Sequence, residues 1–502
     1  MSLTRRSLSF VAGSVFAALL LTALPGASAE RKVLRVGVTA APLNLDPKET
    51  VDSVSGLVSA QVFDTPYFVA PGSTATQPRL FATPLRADGP LTWSAPVRAG
   101  IVFSDGTPFT AAHAVASLSR VKLVSEKATL RAEGARVVFA LRSPDALLET
   151  TLSQNSCGIE LEKEGKFLGT GPYMPAPNAS LNAMVLVRNP RCLKPPAIDE
   201  IRFQVYRPTT DGNVSGLVNA LKRGDVDYAT GIPAQELPQL AKLPGLEVSV
   251  GQGKSTGIFF FQVEKPGPLQ DVKIRRAIAR AIDRAELSRR FFDGNATFAA
   301  KNLLPPAMGS FEPDGLTYDL AAAEALVKDS KVAKPITLDI LETWTSRPYA
   351  PNPNGICRYV ADQLGKIGIK SKVMPSGGTT TFFEKLDKGD FDIVLAGWIA
   401  DTHEAIDFLE VHLASWAISG NRCASCNNAS RYKSKSVDDA IREYHEKRSP
   451  AALASILKTA REDVPFFPVL NGASTAVYSK RLKGYKATPL TTTQFALYDL
   501  SN

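Results

Sequence analysis

From Val33 to Leu470, short apolar runs alternate with amphipathic helical stretches and turn clusters, and this alternation confines the chain to a mixed α/β architecture. Val33 to Val38 alternates as a first strand, and Ile198 to Tyr206 and Leu246 to Val250 read the same way. Phe391 to Ala396 is continuously apolar, the pattern of a strand covered on both faces. No internal repeat or low-complexity tract interrupts the pattern.

The clearest helix follows Asp271, which can cap it. Ile274, Ala277, Ile278, Ala281, Ile282 and Ala285 recur at helical spacing, while Lys273, Arg276, Arg280 and Arg284 form a basic stripe of the kind that is ordinarily solvated. Asn354 to Ile367 predicts a helix ending at Gly368 and leading into a strand from Ile369 to Met374. Val437 to Lys447 and Pro450 to Glu462 predict two more helices before "DVPFFPVL", whose prolines require an extended, buried passage.

The first 29 residues read as an export signal: Arg5 and Arg6, an apolar run from Phe10 to Leu24, then Ala27-Ser28-Ala29, with cleavage expected after Ala29. Thr4 to Leu8 fits a twin-arginine signal only loosely. No cysteine follows the cut, so no lipid anchor is expected. The remaining 473 residues (502 less 29) suffice for roughly three domain-sized units, with no second apolar run of membrane-spanning length. A soluble, exported chain without stable membrane insertion is expected. The net charge of +9 falls to +7 without Arg5 and Arg6, and basic and acidic residues are interleaved, which argues against a nucleic-acid partner. Of five cysteines, Cys423 and Cys426 form the one close pair, read as a local loop disulfide; Cys157, Cys192 and Cys357 have no assignable partner.

Catalytic motifs fail on context. Gly253-Lys254-Ser255-Thr256-Gly257 matches G-x-S-x-G, but a nucleophile elbow turns from strand into helix, and here strand-like sequence leads into the strand-like "IFFFQV". A phosphate loop needs glycine where Val248 stands. None of His113, His403, His412 and His445 lies in a metal-binding motif, and a site at His403 and His412 would need Glu404 or Glu410 folded around them. No catalytic residue, metal or cofactor is assigned.

Other spans carry a resemblance, in order, over nearly the whole mature chain. "SDGTPFT" (104 to 110) opens it, with Ala112 and His113 where an acidic pair is usual. "LNLDP" (43 to 47), "GTGPY" (169 to 173), "LVRNPRC" (186 to 192), "ALKRGDVDYATGIP" (220 to 233), "LQDVKIRRAIARAIDRAEL" (269 to 287), "KGDFDIVLAGWIAD" (388 to 401) and "EDVPFFPVL" (462 to 470) accompany it. Together they resemble the family five extracellular solute-binding proteins, periplasmic receptors for oligopeptides, dipeptides and related ligands that serve ABC transporters.

The resemblance implies a two-lobed periplasmic binding protein fold of the type II, large peptide-binding class, with the ligand between lobes joined by two hinge crossings. Lobe one would comprise residues 30 to 260 with 483 to 502, and lobe two residues 261 to 482. The crossings would fall near Gly257 to Val263 and near Tyr478 to Gly484. It further implies a monomeric receptor without enzyme activity that delivers a peptide to membrane permease subunits. In peptide-binding members an Asp three residues after a Trp grips the ligand's amino terminus. Here that segment is Gly397-Trp398-Ile399-Ala400-Asp401, which makes Asp401 the leading ligand residue and Trp398 a pocket wall. Val54 to Gln61 and "STGIFFF" (255 to 261), including Phe260 and Phe261, are further candidate cleft-lining segments. The same fold also serves receptors for metal chelates, haem and oligosaccharides, and a receptor could feed a membrane sensor instead of an importer. A serine hydrolase built on Ser255 is the reading from another class.

Overall fold

The computed structural model describes residues 31–50, 52–71, 73, 75–209, 214–292, 297–309, 311–400, 402–421, 426–487 and 492–501. The export signal, Asp401 and Cys423 lie outside these residues.

Two long antiparallel strands, Leu246–Phe261 and Phe466–Ser479, form the spine of the molecule, paired from Leu246 opposite Ser479 to Phe260 opposite Phe466. The pairing shifts register between Gln252 and Ser255 and again between Gly257 and Ile258. At the first shift the neighbours change. Residues 476–478 pair with Tyr228–Thr230, which continues the sheet through Val33–Val38 and Glu200–Val205. Residues 255–261 pair instead with Ile393–Ile399, beyond which lie the parallel strands Ile336–Leu341 and Ile369–Met374. Among the described residues, eleven strands make this one sheet.

This change of neighbours, near 252–255 and 472–475, lies N-terminal to Gly257 to Val263 and Tyr478 to Gly484, where the crossings are expected. The polar run Gly251 to Thr256 continues the strand, as the strand-like sequence on either side of it implies, with the register shift falling inside it. Proline-rich "DVPFFPVL" enters the second long strand, in which Pro468 lies opposite Ile258.

Lobe two is packed on both faces of its sheet, as period-two alternation requires. Phe259, Phe261, Ile393 and Leu395 face one core with the helix Val272–Ala281, while Ile258, Phe260, Val394 and Ala396 face the other with the helix Ala405–Leu413. Lobe one holds more than one core. Leu34, Val36, Phe203 and Tyr228 pack with Phe495 and Leu500 of the returning C-terminal tail. A separate four-stranded antiparallel sheet, spanning Arg86–Gly89 to Arg136–Leu141, encloses Tyr67, Phe81, Phe103 and Phe139. The motif "SDGTPFT" lies within that second unit: Gly106 adopts φ 95°, both Asp105 oxygens bind Thr107 at 2.9 Å, and Thr110 caps the helix Ala111–Ser119.

The helix expected from Asp271 through Ala285 is two helices, Val272–Ala281 and Arg284–Phe292. Ile282 is extended (φ −102°, ψ 114°), and Asp283 accepts from the Ala285 and Glu286 amides to start again. Nor is the basic stripe merely solvated: Arg284 lies over the Phe467 ring at 4.0 Å, and Lys273 pairs with Asp329 at 2.6 Å. Cys426 is disulfide-bonded and Cys157, Cys192 and Cys357 are free thiols. Among the described residues no helix is long and apolar enough to cross a membrane.

Candidate ligand-binding site

A cleft of about 550 Å³ lies where the long strands pass between the lobes. Lobe one contributes Asp52, Gly56 and Leu57 from the start of the helix Ser53–Val62, with Asn155, Tyr228 and Thr493. Lys254, Ser474 and Thr475 come from the crossings, and Ile399, Thr402 and His403 from the end of the strand Ile393–Ile399. Ligands of open α/β sheets bind beyond the carboxyl ends of parallel strands, and the Ile393–Ile399 strand, parallel to Ile336–Leu341, ends at this cleft.

The lining is mostly polar and held in place. Asp52 caps its helix, one carboxylate oxygen accepting from the Val54 and Ser55 amides at 3.0 and 2.9 Å while the other is buried without a protein partner. Asn155 donates to Thr492 Oγ1 at 2.7 Å, and the Tyr228 hydroxyl lies 3.2 Å from that of Thr493. These contacts tie the C-terminal tail into the cleft wall. Burial raises the Tyr228 pKa, so the hydroxyl stays neutral and can both donate and accept.

Ala400 and Thr402 are both anchored. The Ala400 amide donates to the Lys254 carbonyl at 2.8 Å, and Ala400 is fully buried. The Thr402 amide and hydroxyl both reach Asp407 Oδ2, at 3.2 and 3.3 Å, closing the turn into the helix Ala405–Leu413. Ile399, just before the Ala400 anchor, is 41% exposed. Gly397 has a packing reason to be glycine: a Cβ there would fall 2.3 Å from the Thr256 carbonyl and 2.7 Å from the Tyr349 ring. Trp398 is half-buried, edge-on to His412 at 5.9 Å, and its indole nitrogen is buried without a protein partner.

Phe260 and Phe261 do not line the cleft. Phe260 is fully buried, stacked on His412 at 5.5 Å, and Phe261 is fully buried in the opposite core, so both are spent on packing the sheet. Of Val54 to Gln61, Gly56 and Leu57 reach the cleft, while Val58 and Gln61 are buried, the Gln61 amide bridging Leu57 and Thr493 carbonyls at 2.8 Å. Ser255 lies within an unbroken strand, without the strand-to-helix turn that a serine nucleophile needs. His412 binds the Phe408 carbonyl through Nδ1 at 2.5 Å and Asn427 through Nε2 at 3.1 Å, and burial lowers its pKa to about 4, so it is a neutral core residue. Burial likewise lowers the His403 pKa, against the opposing pull of Glu404, whose carboxylate stands 3.5 Å away.

Two charged lining residues, Asp52 and Lys254, were not singled out as ligand groups from the sequence. Asp52 carries the signal of a helix cap, and Lys254 stands inside the glycine-serine run weighed only as a catalytic loop.

A second cavity, about 370 Å³, opens beside the first and shares Gln154 and Thr402 with it. It lies between the lobe-one segment around Asp145 and the lobe-two residues Glu410, Trp416 and His445.

Residues 75–420 match the model of the bacterial extracellular solute-binding proteins, family 5. The glutathione-binding protein GsiB of Escherichia coli (strain K12) is 25% identical over 450 residues, covering 82% of this chain and 84% of the relative. HbpA2 from Haemophilus parasuis superposes with a TM-score of 0.83 at 19% identity, over 94% of this chain and all of that one. A dipeptide-binding protein from Pseudoalteromonas sp. SM9913, solved with Met-Leu, superposes with a TM-score of 0.76 at 18% identity, with 94% and 100% coverage.

Proposed function

The chain belongs to the bacterial extracellular solute-binding proteins, family 5, binding proteins rather than enzymes, and from that premise we propose that it captures short peptides between its lobes. It would hand them to the permease subunits of an ABC importer, as an exported monomer cut after Ala29. The observation that supports the reading is that Ile399, Thr402 and His403, which flank Asp401 in the sequence, line the inter-lobe cleft.

In this reading the Asp401 carboxylate pairs with the ligand's ammonium, whose burial would otherwise be costly. Lys254, lining the same space, faces the ligand's carboxylate. Gly397 and Ala400 set the backbone path, and Trp398, packed against His412 behind the cleft-lining residues, would supply apolar wall. Hydroxyls and amides from Tyr228, Asn155, Thr475 and Thr493 suit a peptide backbone held with little side-chain discrimination. Glutathione, the ligand named for the GsiB relative, is a zwitterionic tripeptide and belongs among the first ligands to test.

Native mass spectrometry of the purified protein is the direct test. A co-purifying mass of a short peptide, released on denaturation and rebound in calorimetry, is expected. A haem, metal-complex or oligosaccharide mass would replace the peptide reading.

A further inference from the structure

Away from the ligand cleft, the lobes touch through a compact set of charged and apolar contacts. The Ala146 amide of lobe one donates to the His445 carbonyl of the lobe-two helix Lys435–Lys447 at 2.7 Å. His445 Nε2 binds Glu410 Oε2 at 2.6 Å, and Asp145 Oδ1 stands 3.9 Å from Nδ1, an ion-pair rather than a hydrogen-bond distance. Asp145 is itself held by Lys127 at 2.8 Å, and Glu410 by the Trp416 indole at 3.0 Å. One turn further, Thr150 of lobe one donates to Glu404 of lobe two at 3.2 Å, where Arg448 also pairs. Leu147, between these polar contacts, is buried in the lobe-two core.

We propose that this contact is a latch that holds the lobes together without ligand, with His445 as the cation joining a carboxylate from each lobe. The carboxylates and ammonium around it already satisfy one another, so it needs no ligand to close. Both partners of the cross-lobe pair are largely buried, with Asp145 and His445 side chains 6% and 25% exposed, so salt screens it little. It rests on the two-lobe closure of the reading above but not on what the ligand is.

The charge on His445 sets the pH response. Burial alone would neutralise it, but Asp145 and Glu410 outweigh burial and raise its pKa to about 9, with Lys127 opposing. Glu126, Glu404 and Asp407 face the same cavity, so the surroundings are net acidic and favour the cation. The latch is intact at neutral pH and loses its cation as pH rises through about 9.

The test uses protein freed of ligand, with Cys192→Ser, and spin labels at exposed Ala132 and Glu443, one on each side of the contact. Pulsed dipolar spectroscopy should show one short distance at pH 7, a growing longer population by pH 9.5, and a shift of tenfold or more toward the long distance at pH 7 in His445→Gln. Asp145→Asn, on the opposite lobe, should act in the same direction, which a role for His445 confined to lobe two would not produce. Ligand-free protein that is already open at pH 7, or a distance distribution unchanged to pH 9.5, would overturn the latch. Protein that closes without ligand but binds no peptide would keep the latch and refute only the peptide reading.

Discussion

Gly257 and Gly397 lie directly opposite each other on antiparallel strands, and Tyr349 fills the hollow left by their missing side chains. A Cβ at either position would come within 2.9 Å of Tyr349, at the carbonyl for Gly257 and at the ring for Gly397. The backbone path at Gly397, just before the cleft-lining Ile399, thus depends on a residue some fifty positions away in sequence. Gly397→Ala should destabilise the fold by about 1–3 kcal/mol through overpacking and weaken ligand binding as well. Gly251→Ala, in the long strand that carries Gly257 but with nothing within 4 Å of its Cβ, should change neither. Urea unfolding and calorimetry of both variants check this.

Asp401→Ala should weaken binding of free-amino peptides by roughly 2–5 kcal/mol, more than tenfold in Kd. N-acetylated peptides should bind the wild type about as poorly as free peptides bind the variant. Equal affinity of acetylated and free peptides for the wild type would rule out the amine pairing.

His412 is buried neutral, its pKa lowered from 6.5 to about 4. The unfolded chain takes up that proton first as pH falls, so stability is complete above about pH 6.5 and declines between 6.5 and 4, by roughly 3 kcal/mol at most from this group. His412→Phe removes the titration. Stability measured by denaturant from pH 7 to 4 should fall less steeply in the variant than in the wild type.

His445 acts with the opposite sign. Its folded pKa of about 9 lies above the ordinary value, so its contribution is full below about pH 6.5 and is lost as pH rises toward and through 9. Thermal melts of His445→Gln and wild type should converge on the alkaline side.

Arg275 is buried and donates to the carbonyls of Leu269, Gln270, Asp463 and Val464, at 2.7 to 3.1 Å. It ties the start of its own helix, Val272–Ala281, to the end of the distant Pro450–Asp463 helix. Arg275→Leu leaves those buried acceptors unpaired and should cost about 3–5 kcal/mol; Arg275→Lys, lacking the planar fork, should recover only part of that. Equilibrium unfolding of the two variants measures both.

Where one side-chain period runs without interruption, structure is readable from the sequence: Val33–Val38 and Ile369–Met374 occur with the expected bounds. The long crossing strands were read in parts because Gly251 to Thr256 is polar, and a strand paired on its edges needs no apolar side chains to persist. The helix after Asp271 was read as one because apolar spacing continues through Ile282, while the break there is a matter of backbone angle. The separate core around Phe81 and Phe139 was invisible for a different reason: alternation says that a residue is buried, not with which others. The site divides along the same line. A local motif marks Gly397 to Asp401 in the sequence, but Asp52, Lys254 and Thr493 meet Ile399 at the cleft only through tertiary folding, and the apolar run holding Phe260 and Phe261 proved to be core.

The two crossings are not separate tethers. Because 246–261 and 466–479 stay hydrogen-bonded to each other as they leave one lobe for the other, they behave as a single ribbon, and a ribbon bends across its flat face far more readily than it shears along its length. Such a joint would favour one movement of the lobes, a bend near the register shift at 252–255. Every closing stroke then brings the same cleft surfaces to the same separation, so the size of what can be enclosed is set by the backbone before any side chain has chosen a ligand.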